Sequence, residues 1–203
     1  MQEYLAKTLQ GLEGVLADEL RALGAKDIEI QRRAVSFKGD KKTLYKANFW
    51  LRTALRILKP VAVFEVKSPD DVYTAIKKLK LEEFITADKT FSIDTTLYSE
   101  QINHSRYVTY KAKDAIVDYF TEKYGKRPSV SVSNPDIYFN LHISHTTCTL
   151  SLDSSGAPLF KRGYRVAQTE APINEVLAAG MIMLTGWNGE CDFIDPMCGS
   201  GTI

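Results

Sequence analysis

Cysteine is scarce in this chain. Its 203 residues hold three, Cys148, Cys191 and Cys198, and none form a CxxC pair. An odd number without that spacing excludes a disulfide framework and a zinc site, and it fits a reduced, cytoplasmic setting. Long apolar runs are missing as well, and a membrane-spanning helix needs roughly 20 such residues. The opening MQEYLAKTLQGLEG has no basic stretch leading into an apolar one, so it does not read as a secretory leader. Internal repeats and low-complexity segments are also lacking. Neither sign of charge dominates, with 26 Lys and Arg against 25 Asp and Glu. Bulk charge therefore does not point to nucleic acid. What remains is a hydrophobic fraction of 44% and a charged fraction of 25%, ordinary for a globular protein. The length allows one large domain or two small ones.

Charge is uneven locally. Ser105 to Arg127 carries six basic and three acidic residues, and Ala157 to Arg165 three basic and none acidic. A basic stripe on a near-neutral chain is either a phosphate footprint or a solvated helix face, and the sequence leaves both readings open.

The last nine residues, DPMCGSGTI, carry the most chemistry. Phe193 and Ile194 run into Asp195, and Gly199 and Gly201 follow two apart. This spacing predicts a strand, an acid at its tip and a glycine loop, the first crevice of a doubly wound domain. Glycine there lets backbone approach a ligand. Gly201 is followed by Thr202 and Ile203 and not by lysine, which excludes a Walker phosphate loop.

Upstream, hydrophobic spacing predicts the order βαββαβ over residues 1–66, the split βαβ pattern of ferredoxin-like domains. The elements are a strand from Glu3 to Leu9, a helix on Leu12, Leu16 and Leu20 closed by Gly24, and strands at Ile28–Ile30 and Val35–Phe37. A helix capped by Asp40 and a strand from Leu55 to Val66 complete it. Residues 67–156 read as a second α/β unit. Its helix opens at Ser68-Pro69-Asp70. A strand at Phe91–Leu97, a helix at Ser105–Tyr124 and two alternating strands at Ile137–Ile143 and Cys148–Leu152 follow. A connector occupies 157–171. In 172–203 a helix opened by Pro172 leads into the strand before Asp195.

With these strings in order, the chain resembles the N-terminal part of bacterial THUMP-domain RNA methyltransferases. It is most similar to the large-subunit ribosomal RNA guanine-N2 group, often labelled N6-adenine-specific DNA methylases. The strings are GLEGVLADELRALGA, LYKANFWLRTALRIL, HSRYVTYKAKDAIVDYF, KRGYR, and APINEVLAAGMIMLTGW leading to DPMCGSGTI. The resemblance implies a ferredoxin-like domain, an RNA-binding THUMP domain whose family boundary starts nearer residue 43, and the first helix and strand of a Rossmann-like catalytic domain. It implies S-adenosylmethionine as cofactor, held by Asp195, Pro196, Cys198, Gly199, Gly201 and Thr202, with no chemical role for Cys198. The partner it implies is structured RNA, ribosomal RNA above all, with no membrane and no metal. The family's base-binding tetrapeptide, (Asn/Asp)-Pro-Pro-(Tyr/Phe), is expected downstream. The 203 residues alone are therefore expected to be inactive, and their last strand to lack parallel neighbours. Asn134-Pro135-Asp136-Ile137 has one proline and no aromatic fourth residue, and it reads as a turn into a strand.

Candidate RNA contacts are Lys161, Arg162, Tyr164 and Arg165 of the KRGYR motif, and Arg106, Lys111 and Lys113 of the long helix. Guanidinium groups grip phosphate and tyrosine stacks on bases. The competing readings are a clamp between the THUMP unit and the catalytic domain through carboxylates for KRGYR, and a solvated face for the helix. Arg52 and Arg56, one turn apart on an extended helix, read as ion-pair residues at the domain seam or as RNA contacts. His142 and His145, three apart on a strand, fall on opposite faces and make a poor metal pair. His104 reads as an aid to the start of the long helix. Two other readings stand beside the methyltransferase: a stand-alone THUMP-type RNA-binding module, and a DNA adenine-N6 methylase.

Overall fold

The computed structural model describes residues 1–163 and 172–203. The chain divides into two compact units, Met1–Leu58 with Ala157–Ile203, and Lys59–Gly156.

The first unit starts with β1 (Gln2–Lys7), α1 (Glu13–Ala22), β2 (Lys26–Gln31), β3 (Ala34–Gly39), α2 (Lys41–Trp50) and the opening residues of β4 (Arg56–Glu65). This is the βαββαβ order expected. β1 is central, paired antiparallel with β3 on one side and with Arg56, Ile57 and Leu58 of β4 on the other. β2 lies outside β3 and is also antiparallel, with a bulge between Lys26 and Glu29. Tyr4, Val35, Phe37 and Ile57 project from the sheet onto Leu16, Leu20, Ala47 and Leu51, all buried. Asp40 accepts from the Thr43 amide at 2.7 Å and so caps α2. That helix ends at Trp50, because Leu51 is already extended. Arg52 is therefore in a loop and not one helical turn from Arg56. Further along the chain, the same unit holds α5 (Glu175–Thr185). Its cap is Asn174, which accepts from the Val176 amide at 2.9 Å, so the helix starts three residues later than Pro172 suggested.

The second unit holds α3 (Pro69–Lys77), a 3-10 turn (Leu81–Glu83), β5 (Thr90–Tyr98) and α4 (Ser105–Tyr124). The strands β6 (Ser129–Val130), β7 (Ile137–Ser144) and β8 (Thr147–Asp153) complete it. With the part of β4 from Lys59 on, its strands run β4-β8-β7-β5-β6, with β5 parallel to both β7 and β6 and β7 antiparallel to β8. The sheet is therefore mixed and open. Ser68 and Asp71 form a reciprocal capping box at α3. Gly125, at φ +66°, closes α4. His104 precedes α4 without a capping bond from its side chain, so it does not act as a side-chain cap. Phe91, Phe139, Leu141, Ile143 and Leu150 of the sheet bury against Val108, Ala112, Ala115 and Ile116 of α4.

The Asn134-Pro135-Asp136 turn has a structural task. Asp136 accepts from the Thr90 amide at 2.8 Å and the Thr90 hydroxyl at 2.9 Å, which sets the parallel register of β7 on β5. Cys148 is buried in the core, and burial pushes its thiol up to about 12, so it is inert at neutral pH. No helix among the described residues is long and apolar enough to cross a membrane.

Candidate functional site

The glycine loop follows α5. Gly186 ends that helix in the left-handed region. Trp187 then packs on Phe193 with ring centroids 5.2 Å apart, and its indole N–H donates to the Cys191 carbonyl at 2.8 Å. The strand expected into Asp195 is not formed. Residues 192–195 make no ladder, and Ile194 is 82% exposed. A strand requires a neighbour for its N–H and C=O groups, and no described residues offer one here.

The loop itself is tightly turned. Asp195 Oδ1 accepts from the Met197 amide at 2.9 Å, and the Gly201 amide donates to the Cys198 carbonyl at 2.7 Å. Gly199 and Gly201 adopt φ +53° and +65°. These are left-handed angles that favour glycine. A Cβ on Gly201 would meet nothing within 4 Å, so its backbone stands open. Cys198 is exposed, while Thr202 is buried with its hydroxyl 3.1 Å from that of Ser200. An acid and two left-handed glycines within seven residues, the second of them open, suit a polar nucleoside-type ligand approaching backbone, and to that extent the residues fit S-adenosylmethionine.

The basic candidates divide by environment. Arg162 donates Nη2 to the Leu51 carbonyl at 2.6 Å and Nη1 to those of Phe49 and Asn48 at 3.3 and 3.4 Å. It thereby covers the carbonyl end of α2, where a cation is favoured. The clamp expected through carboxylates is made on carbonyls instead, and it fastens the connector to the ferredoxin-like unit. The Leu159 amide, which donates to the Leu55 carbonyl at 3.0 Å, adds to it. Lys161 is exposed and forms no ion pair among the described residues. Tyr164 and Arg165 lie outside the described residues.

On α4, Lys111 pairs with Asp70 at 2.6 Å and Lys113 with Asp114 at 2.8 Å. Asp70 belongs to the first turn of α3, so Lys111 also ties the two helices together. Arg106 is exposed and unpaired among the described residues. Arg52 lies 3.6 Å from Glu19, whose carboxylate also accepts from the Arg52 and Thr53 amides and the Thr53 hydroxyl. Arg52 thus forms an ion pair, but within the first unit and not at a domain seam, where the sequence reading puts it. Sequence reasoning missed the outward face of α2, where Tyr45, Phe49 and Trp50 are all more than 60% exposed. The signal was present in KKTLYKANFWLR, where Tyr45 and Phe49 each stand two positions from Ala47 and so face away from it.

Comparison with known proteins adds to this geometry. Residues 3–58 match the RlmL ferredoxin-like domain, residues 66–153 the THUMP domain, and residues 162–203 the RMKL-like methyltransferase domain. The chain is 43% identical over 206 residues to the ribosomal RNA large subunit methyltransferase K/L of Syntrophotalea carbinolica, covering 99% of this chain and 29% of that protein. A predicted N6-adenine-specific DNA methylase from Listeria monocytogenes superposes with a TM-score of 0.84 at 32% identity. SMU.472, crystallised in complex with SAH, superposes with 0.83 at 30%. Each match covers 99% of this chain and 53% of the solved one. The chain thus spans about half the length of its solved neighbours and less than a third of the curated relative. It belongs to the family of proteins that join an RlmL-type ferredoxin-like domain, a THUMP domain and an RMKL-like methyltransferase domain in that order.

Proposed function

We propose that this chain is the RNA-capturing region and first cofactor loop of a cytoplasmic, S-adenosylmethionine-dependent methyltransferase acting on an exocyclic amine of a ribosomal RNA base. One observation carries the reading. A THUMP domain leads directly into a methyltransferase start whose loop keeps Asp195 and the left-handed Gly199 and Gly201. Two relatives support it by what they are named or hold: one is a ribosomal RNA methyltransferase, and the other was crystallised with SAH.

Asp195, Pro196, Cys198, Gly199, Gly201 and Thr202 would hold the cofactor, with the open glycine backbone giving close approach and Asp195 orienting a polar group. When bound, S-adenosylmethionine supplies an electrophilic methyl group to a neutral amine. The chain's own contribution is positional. Arg106, Lys161 and Arg165 would meet phosphates and Tyr164 a base, Lys111 and Lys113 would do so only on leaving Asp70 and Asp114, and Arg162 holds the connector that carries Lys161, Tyr164 and Arg165. The 203 residues alone are proposed to be inactive, since no (Asn/Asp)-Pro-Pro-(Tyr/Phe) string occurs among them. A DNA adenine-N6 methylase is the second reading, favoured only by the name of the Listeria neighbour. A THUMP-type binding module without catalysis is the third.

The product of the complete reading frame, given tritiated S-adenosylmethionine, undermethylated ribosomal RNA and duplex DNA, should label RNA alone. Label in DNA, or in neither polymer, would overturn the proposal.

A further inference from the structure

The lysines on helices of the second unit are largely engaged. Lys77, Lys111, Lys113 and Lys123 each lie within 2.8 Å of an acid. The lysines of α2 are not. Lys41, Lys42 and Lys46 are exposed and form no ion pair within 4 Å among the described residues; from Lys41 to Arg52 the chain carries four basic residues and no acid, the cap Asp40 just before them attracting Lys42. Helical spacing sorts the outward residues into two adjacent stripes, Lys41-Tyr45-Phe49 and Lys42-Lys46-Trp50. Each runs from cation to aromatic. Lys41 Nζ sits 5.9 Å from the Tyr45 ring centroid, and Phe49 meets Trp50 edge to face at 5.3 Å. Tyr45, Phe49 and Trp50 are 63%, 73% and 62% exposed.

Beside the aromatic end lies a groove of about 690 Å3, entirely within the first unit. Phe49, Trp50, Leu51 and Val176 are among its lining residues, together with the cations Lys46 and Arg52 and the acid Glu175. Glu19 also reaches this groove, but its carboxylate is held by the Arg52 and Thr53 amides and the Thr53 hydroxyl. The groove has the size of a small-ligand site, large enough for a nucleobase.

We infer that the outward face of α2, with this groove, is a second RNA site, on the ferredoxin-like unit. It takes an unpaired strand whose phosphates meet Lys41, Lys42 and Lys46 and whose bases stack on Tyr45, Phe49 and Trp50. Unpaired cations alternating with exposed rings are the recognised arrangement for single-stranded nucleic acid. A protein partner is the poorer fit, because interface centres are depleted in lysine. The inference rests on the RNA-directed reading above and adds a place and a substrate form to it.

The test uses the 203-residue chain and a labelled 12-nucleotide single-stranded RNA of mixed sequence, followed by fluorescence anisotropy. The substituted residues are exposed, and circular dichroism confirms folding of each variant. Phe49→Ala and Trp50→Ala should each weaken binding at least about fivefold. Lys42→Glu with Lys46→Glu should weaken it further and lower the slope of log K against log salt by about 1.4. In a Trp187→Phe background, Trp50 is the remaining tryptophan and its emission should be quenched by the RNA. If the wild-type chain binds no RNA, the RNA-directed reading falls and this inference with it. If it binds and the α2 variants bind equally well with Trp50 unquenched, only this inference is overturned. It is overturned equally if the aromatic substitutions alter self-association in sedimentation but leave RNA affinity untouched.

Discussion

Glu82 sits on a single 3-10 turn, yet it accepts from both the Tyr119 hydroxyl and Lys123 Nζ of α4, the latter at 2.7 Å. Lys123 first and Tyr119 second hold its carboxyl at about 2, below the ordinary 4.5. Lys123 is raised in turn by the same carboxylate. A depressed carboxyl stabilises the fold above its unfolded value and loses that contribution as pH falls through its folded value. The window is therefore from about pH 4.5 down to about pH 2. Glu82→Gln should lower the urea midpoint of the second unit, followed by tyrosine near-UV circular dichroism, at pH 7 and leave it unchanged near pH 2. A deficit equal at both pH values would show that the pair does not act through charge. The same scale explains why lysines were poor guides in the sequence. Lys111 and Asp70 are 41 positions apart, so nothing local announces that one neutralises the other.

At the scale of elements, caps and periodicity were legible because they are local. Asp40, the Ser68–Asp71 box and Gly125 each act within four residues of the helix end they close. Features that depend on distant chain were not legible. The two-residue β6 exists only because β5 offers it an edge. The strand before Asp195 carries the right residues but has no described neighbour, so it turns irregularly. Arg162 belongs here too. The sequence leaves its phosphate and clamp readings open, and it closes the carbonyl end of a helix more than 110 positions earlier. Arg162→Ala should cost about 1–2 kcal/mol, as expected for charge-assisted bonds on a partly exposed group. Arg162→Lys, which cannot fork over three carbonyls, should recover only part of it. Urea unfolding followed by tryptophan emission checks this, since Trp50 and Trp187 both belong to the first unit. An alanine variant as stable as the parent would show that the connector is held by Leu159 alone.

For the whole molecule, the order of domains was readable because its signals are spread over the full length of the chain. The glycine loop was readable because acid and glycines are close together. What the loop needs to become a crevice is a parallel sheet, and sheet neighbours cannot be inferred from a string of nine residues. The functional reading therefore depends mainly on what the two units bind. The most direct measurement is filter binding of the 203-residue chain to a structured ribosomal RNA hairpin and to duplex DNA of the same sequence, at one fixed salt concentration. An RNA-capturing region predicts binding at least about tenfold tighter to the hairpin, a difference of about 1.4 kcal/mol. Equal affinity for the two, or a preference for DNA, would contradict it.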